Sequence, residues 1–538
     1  MKANLLIRGR AIFDSISEKP YQGYVAIGGN RIIAAGKGEP PSGLSTKQTK
    51  TIEAGNKLVM PGFHDSHTHL VLAGMYKKYV NLGAARSEQE ASEMLMEYEK
   101  ANPTEGWLYG FNWYHVFWNS KNLPTKKSLD RLFPDRPVFL VNAEAHGAWV
   151  NSKALELTGV SKKTPDPFGG KVGRLDNGEP SGFLYESAVG YVAPYCLSFS
   201  YDQERSYVKA FMKRAAALGI TALVDVQPYF SVNMGNLDSY LSMEQNGELT
   251  LRIHAAPDLF GDLDRAAEAA AKCSGSMVRA DLLKQFVDGV FTTHTALMLE
   301  DYSDAPGNRG IELCELDRIE TAVMEAHKRE LSVKLHALGD RAIRFALDCY
   351  EKAIAVYGEN SSRHAIEHVE LADVNDIKRF GALGIIPSVQ PEHIGLMPTW
   401  DGEEYRYVLG EERAGRTWPL KSLLQSAGVL ALGSDCPVVD NNPFFGIHRG
   451  LTRLHDDGLP EGGWNPTEKL SLPELIKGYT HGSAYGVKRE NELGTLEAGK
   501  LADLIIIDRN LFEVLPEEIR QAKVILTVVD GKIVHEVK

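Results

Sequence analysis

Val59-Met60-Pro61-Gly62-Phe63-His64-Asp65-Ser66-His67-Thr68-His69 reads as a short strand that ends in histidines. Side chains alternate faces along a strand, so His67 and His69 point the same way, about 7 Å apart along the backbone. Two imidazoles converging on one side can share a divalent metal ion. The chain holds 16 His in 538 residues, and chance alone supplies roughly half of one His-x-His pair in such a sequence. The pair therefore gains weight only if further ligands arrive later, each at the end of its own strand.

Downstream the chain alternates strands with helices. Residues 220–226, 251–256, 283–288, 332–336, 365–368, 385–390 and 429–435 read as strands, and 201–218, 315–329, 341–356 and 373–380 as helices. With the first strand this makes eight, the number that closes a parallel barrel. Competing strands at 107–112 and 137–142 are assigned to an insertion over residues 75–200, without which the barrel is nearer the usual ~250 residues. Both ends are strand-rich. Gly28-Gly29-Asn30 turns one hairpin and Asp530-Gly531 another. The expectation is an α/β chain: a (β/α)8 TIM-like barrel over 59–74 and 201–489, a composite β-sandwich from 1–58 and 490–538, and an inserted subdomain, 75–200, over the barrel mouth. The insertion is rich in aromatics (Trp107, Phe111, Trp113, Tyr114, Phe117, Trp118). Most belong to its own core, with Trp113 the one taken as a substrate-pocket wall.

Composition narrows the function. Hydrophobic content of 43% and charged content of 24% are those of a soluble globular protein. The net charge is -12 and no basic run stands out, which argues against nucleic acid or an anionic membrane as partner. No stretch is long and apolar enough for a signal peptide at Met1–Arg8 or for a membrane span, and a cytoplasmic location is expected. Cys196, Cys273, Cys314, Cys349 and Cys436 are odd in number and lack CxxC spacing. That pattern suggests reduced thiols rather than a disulfide frame or a thiolate zinc site. Any metal is then held by nitrogen and oxygen.

In a parallel barrel the chemistry lies at the C-terminal ends of the strands. His67 and His69 end the first strand, Lys284 lies on a middle one, His336 and His368 end the next two, and Asp435 ends the last. A strand-end His alone is more often a hydrogen-bonded core or loop residue, and a strand Lys usually faces solvent. Jointly, four His and one Asp in this order are hard to produce by accident. Nitrogen and carboxylate ligands suit Zn²⁺, with Mn²⁺, Fe²⁺ or Co²⁺ as alternatives.

This order resembles the amidohydrolase superfamily of metal-dependent hydrolases, over almost the whole chain. Pro61–His69 looks like its first-strand motif, and Gly494-Thr495-Leu496-Glu497-Ala498-Gly499-Lys500-Leu501-Ala502-Asp503 like its return into the terminal unit. More narrowly the chain is similar to the YtcJ-like branch, which includes N-substituted formamide deformylases. The residues that carry this are Ala143-Glu144-Ala145-His146-Gly147, Val150-Asn151-Ser152, Lys284-Gln285-Phe286-Val287-Asp288-Gly289, Arg363–His368 and Val389-Gln390-Pro391. Glu144-Ala145 stands where relatives usually carry Asp-Gly, a departure that bears on the substrate and not on the metal site.

The resemblance implies two divalent ions, zinc first among them, bridged by a carboxylated Lys284. An unmodified ammonium within ~4 Å of a dication is strongly repelled; the alternative is that Lys284 pairs with Asp288 or another carboxylate and one ion binds. His67, His69 and Asp435 would hold one ion, His336 and His368 the other. Asp435 would take the proton of the activated water and pass it to a leaving amine. His146 would donate to the substrate carbonyl, with Gln390 and Arg416 as weaker pocket candidates. Glu367, beside a ligand, would act behind it or in an ion pair. The expected function is hydrolysis of a non-peptide C–N bond (amide, N-substituted formamide or cyclic amide) in a small molecule, by a chain that could pair as a homodimer. A lyase or isomerase on the same barrel, or a non-catalytic scaffold, are the competing readings.

Overall fold

The computed structural model of the chain describes residues 2–537 apart from 121, 231, 274 and 397–403. The eight expected barrel strands are Phe63–Thr68, Ile220–Val226, Arg252–Ala256, Leu282–Phe286, Ser332–Ala337, Ala365–His368, Ile386–Val389 and Ala431–Leu432. The first three are hydrogen-bonded neighbours in one parallel sheet and the last five in another. Isolated parallel bridges, Thr68 to Cys436 and Asp258 to Lys284, bring the two sheets together at both edges. Every residue of the first, second and third strands is buried. This is the pattern of strands covered on both faces by helices and side chains.

The ends of the chain meet in one seven-stranded sheet. Lys50–Pro61 lies inside it, parallel to Leu5–Ile12 on one side and antiparallel to Leu504–Ile507 on the other. The two β-rich ends, expected to pack as a sandwich, are thus continuous with each other. Lys50–Pro61 runs into the first barrel strand with only Gly62 between. A Cβ at Gly62 would lie 2.2 Å from the Thr221 side chain, so only glycine lets the first strand lie this close to the second. Arg252, on the third strand, locks the two units together. Its Nε and Nη2 donate to Asp503 at 2.6 and 2.8 Å, and none of its surface is exposed.

The stretch between the first and second strands builds a six-stranded sheet, with Gly170–Arg174 at one edge and Val80–Asn81 at the other. It has its own core. Trp113 lies there and not on a pocket wall. It is wholly buried, its Nε1 donates to the Leu140 carbonyl, and its ring lies 5.5–5.9 Å from those of Trp118, Trp149 and Phe183. The physical reason is a break in strand alternation: Asn112 takes φ 69° and the register shifts between Phe111 and Trp113, so Trp113 turns to the core of Leu108 and Leu140 and away from the one Phe111 joins. Among the described residues no helix is long and apolar enough to cross a membrane.

Breaking the Arg252–Asp503 pair leaves a charge buried without compensation. Arg252→Ala is expected to cost roughly 3–5 kcal/mol, the usual range for removing one partner of a buried ion pair. Urea unfolding of the variant beside the unaltered chain measures it, and a loss under ~1 kcal/mol would mean that the pair does not join the units energetically.

Candidate metal centre

The seam between the first and last barrel strands delivers the central carboxylate. The Asp435 amide donates to the His67 carbonyl at 2.7 Å, and the His69 amide to the Cys436 carbonyl at 2.9 Å. Asp65, buried, accepts from the Ser434 amide and hydroxyl at 2.8 and 2.5 Å. Asp435 and His368 both adopt positive φ, 60° and 73°. That conformation is uncommon outside glycine and costs of order 1–3 kcal/mol per residue, so it persists only where neighbours enforce it. Here it turns both side chains inward at the strand ends.

Around Asp435 the imidazoles converge. His67 Nε2 lies 3.2 Å and His69 Nε2 3.3 Å from its Oδ1. His368 Nδ1 lies 3.9 Å from Oδ2. Ligand atoms of His67, His368 and Asp435 all fall within 4.8 Å of one another. The His336 ring is 4.5 Å from that of His368, and its Nε2 faces the Gly289 carbonyl at 3.4 Å, which leaves Nδ1 as the nitrogen with the free lone pair. Burial would raise the Asp435 carboxyl, but His67, His69 and His368 outweigh it and hold it well below the usual carboxylate range. Burial also keeps His336 and His368 well below the ordinary histidine value, hence neutral and able to ligate.

The protonation pattern is decided behind the ligands. Glu367, fully buried, accepts from His67 Nδ1 at 2.6 Å through Oε2 and faces Lys334 Nζ at 2.6 Å through Oε1. Burial alone would raise its pKa; Lys334 and His67 hold it far below the usual range. An ionised Glu367 holds a proton on Nδ1, so Nε2 is the His67 nitrogen turned to the site, 3.2 Å from a carboxylate oxygen. Two bare acceptors at this distance would repel, so a proton or a metal cation belongs between them. In a tetrahedral site with bonds of about 2.0–2.1 Å, neighbouring ligand atoms are about 3.3 Å apart. The donor set and spacing therefore fit a divalent ion.

Lys284 is fully buried and its Nζ has no hydrogen-bond partner; it lies 4.8 Å from the centre of the Phe286 ring. Asp288 is not its partner. That carboxylate accepts from the amides of Leu297, Leu338 and Gly339 at 2.8–3.1 Å. Burial pulls the Lys284 ammonium down to about 8, against Glu367 and Asp435.

His146 comes from the insertion. Its Nδ1 lies 2.7 Å from Glu186 Oε2, and its ring 5.4 Å from that of His336. Burial opposes its protonation, but Glu186, backed by Glu144 and Asp435, raises its pKa. A cavity of about 190 Å³ is lined by His67, His69, His146, His336, His368 and Asp435, among others. Gln390 is buried, its amide 3.4 Å from the Ser388 carbonyl, and Arg416 pairs with Glu412 at 3.8 Å. Neither is among the cavity-lining side chains. The sequence reading passed over His393. Its Nε2 lies 3.5 Å from Asp435 Oδ2 and its Nδ1 3.1 Å from Glu370 Oε1. It stands in the turn Pro391–Gly395, beyond the seventh strand, so a search confined to strand ends misses it. Its signal was its place three residues after Gln390.

Comparison with known proteins accords with this geometry. The description "Amidohydrolase family" matches residues 50–535. The chain belongs to the amidohydrolase family. This amidohydrolase is 31% identical to Protein LONG AFTER FAR-RED 3 of Arabidopsis thaliana, over 98% of this chain and 91% of that one. It is 29% identical to the putative amidohydrolase YtcJ of Bacillus subtilis, over 91% of each. It is 26% identical to the N-substituted formamide deformylase of Arthrobacter pascens, over 95% and 94%. A structure of an uncharacterized metal-dependent hydrolase from Pyrococcus furiosus aligns at TM-score 0.71 and 26% identity, over 94% of this chain and 99% of the other. One from Pyrococcus horikoshii aligns at TM-score 0.75 and 23% identity, over 95% and 99%. The fold is of the TIM-barrel type.

Glu367→Gln keeps the size of the side chain but removes the charge that fixes the His67 tautomer. Metal affinity is expected to fall ~10–100-fold, as for other residues that orient a ligand. Competition titration against a chelator measures this, and an unchanged affinity would detach Glu367 from the centre.

Proposed function

We propose that this amidohydrolase is a metal-dependent hydrolase that cleaves a non-peptide C–N bond of a small molecule: an amide, N-substituted formamide or cyclic amide. The observation that carries the reading is the opposition of two imidazole nitrogens, 3.2 and 3.3 Å away, to one oxygen of the buried Asp435. None of the ligands expected from the sequence is missing, which argues against a non-catalytic scaffold. The formamide class rests on the similarity to the Arthrobacter protein, and the small substrate on the cavity of about 190 Å³.

Two divalent ions, zinc by preference, fit the donors: His67, His69 and Asp435 for one, His336 and His368 for the other. When bound, such ions supply a hydroxide nucleophile from water near neutral pH and polarise a carbonyl. Asp435 takes the proton from the attacking water and carries it to the leaving amine. His146, held by Glu186, donates through Nε2 to the carbonyl oxygen as charge develops there.

Lys284 has the chemistry to bridge. Burial holds its ammonium down, to about 8, so the neutral amine is more accessible than in an exposed lysine. That amine adds through nitrogen to the carbon of CO2 and loses a proton, which leaves an anionic carbamate. Burial without a partner makes the ammonium costly and the anion, beside dications, favourable.

Asp435→Asn keeps one oxygen ligand and removes the proton acceptor. Turnover on an N-acyl or N-formyl amine is expected to fall at least ~100-fold, with metal content falling less and added metal not restoring the rate. Restoration to near the original turnover would make Asp435 a ligand only. The unaltered protein, purified without chelators, is expected to hold close to two divalent ions per chain and to lose activity when they are stripped. Full activity with no bound metal would overturn the proposed function.

A further inference from the structure

His393 repeats, on the other oxygen of Asp435, the arrangement that marks His67 as a ligand. Its Nδ1 lies 3.1 Å from the Glu370 carboxylate, which accepts the ring proton there. Its Nε2 is buried and has no hydrogen-bond partner. It faces Asp435 Oδ2 at 3.5 Å. His368 Nδ1, also buried without a hydrogen bond, faces the same oxygen at 3.9 Å. The two rings are nearly parallel, 15° apart, with centres 5.7 Å from each other. Asp435 thus has a pair of imidazole nitrogens before each of its oxygens: His67 and His69 before Oδ1, His368 and His393 before Oδ2. The distances at Oδ2 are only slightly longer than the ~3.3 Å between neighbouring ligands of a tetrahedral ion.

A histidine whose second ring nitrogen donates to a carboxylate is the usual form of a metal-ligating histidine, since the carboxylate fixes the tautomer and the ring plane. Glu370 is itself held. Its Oε2 accepts from the Tyr405 hydroxyl at 3.3 Å, and its carbonyl accepts from the Trp418 amide at 2.6 Å. We propose that His393 is a metal ligand, and that with His336, His368 and Oδ2 of Asp435 it holds the second ion of the centre. This rests on the two-ion reading given above and adds to it a ligand from the turn after the seventh strand.

The test is metal binding rather than turnover. The unaltered chain, stripped and titrated with Co²⁺, is expected to bind two ions, each with its own change in the visible spectrum. In His393→Ala the first ion should bind as before and the second at least ~10-fold more weakly, with its spectrum altered. Glu370→Gln, which leaves every proposed ligand in place, should weaken the second ion alone. Melting of each stripped variant beside the stripped parent separates loss of a ligand from loss of the fold. If His393→Ala melts early, the Glu370→Gln titration decides. If the parent binds two ions and both variants bind the second with unchanged affinity and spectrum, His393 is not a ligand and the proposal falls, while the two-ion reading stands. If the parent binds one ion, the proposal falls and a single-ion centre remains. If it binds none, the proposed function falls with it.

Discussion

The carboxylate of Asp435 is where the charges of this molecule are settled. It is buried, yet it stays ionised because imidazoles surround it. A lone carboxylate in such a place would cost several kcal/mol and take up a proton instead. Its position is set by the strand seam: the bonds from Asp435 N to His67 and from His69 N to Cys436 hold the last strand against the first. A Cβ at Gly433 would lie 2.7 Å from the His67 nitrogen. The approach of the two strands therefore depends on a glycine two residues before the ligand. The distances between Asp435 and its histidines follow from that seam.

Other buried acids hold the mouth in shape. Asp65 ties the first strand to the eighth through Ser434. Asp225 ties the second strand to the helix after the first, accepting from the Leu70 amide at 3.0 Å and from the Tyr240 hydroxyl at 2.7 Å. Asp288 ties the end of the fourth strand to the end of the fifth through the Leu338 and Gly339 amides, and to its own following loop through Leu297. These acids reach backbone and hydroxyl donors and leave the imidazoles to the cavity. A site held this way is pre-organised, since its supports are satisfied before any ligand arrives.

The sequence made the frame of this site readable. Strand ends carrying His67, His69, His336, His368 and Asp435 are visible because barrel chemistry has a fixed address, the C-terminal end of each strand. Glu367 could be placed behind a ligand because it precedes one, on the opposite face of the same strand. What stayed hidden depends on long-range packing. Trp113 looks like a pocket aromatic until the insertion's own sheet encloses it. Glu186 holds His146 from 40 residues away, and Glu370 holds His393 from 23 away. No local period reports such pairs. The continuity of the terminal sheet was also out of reach, because it follows from the pairing of residues 58–61 with 504–507.

Charge decides how far the centre can be filled. Inside the barrel, Lys334 balances Glu367 at 2.6 Å, while Lys284 has no such close partner and feels Glu367 and Asp435 at longer range. One dication beside Asp435 already makes the ammonium of Lys284 unfavourable, by several kcal/mol at an effective dielectric near 20 and a separation near 4 Å. Losing its proton removes the repulsion but adds no attraction. A carbamate there would reverse the sign. On the proposed two-ion centre, the second ion and the modification of Lys284 would therefore be coupled. Each would lower the cost of the other, and a chain without the carbamate would hold a second ion only through imidazoles and the one carboxylate it shares with the first.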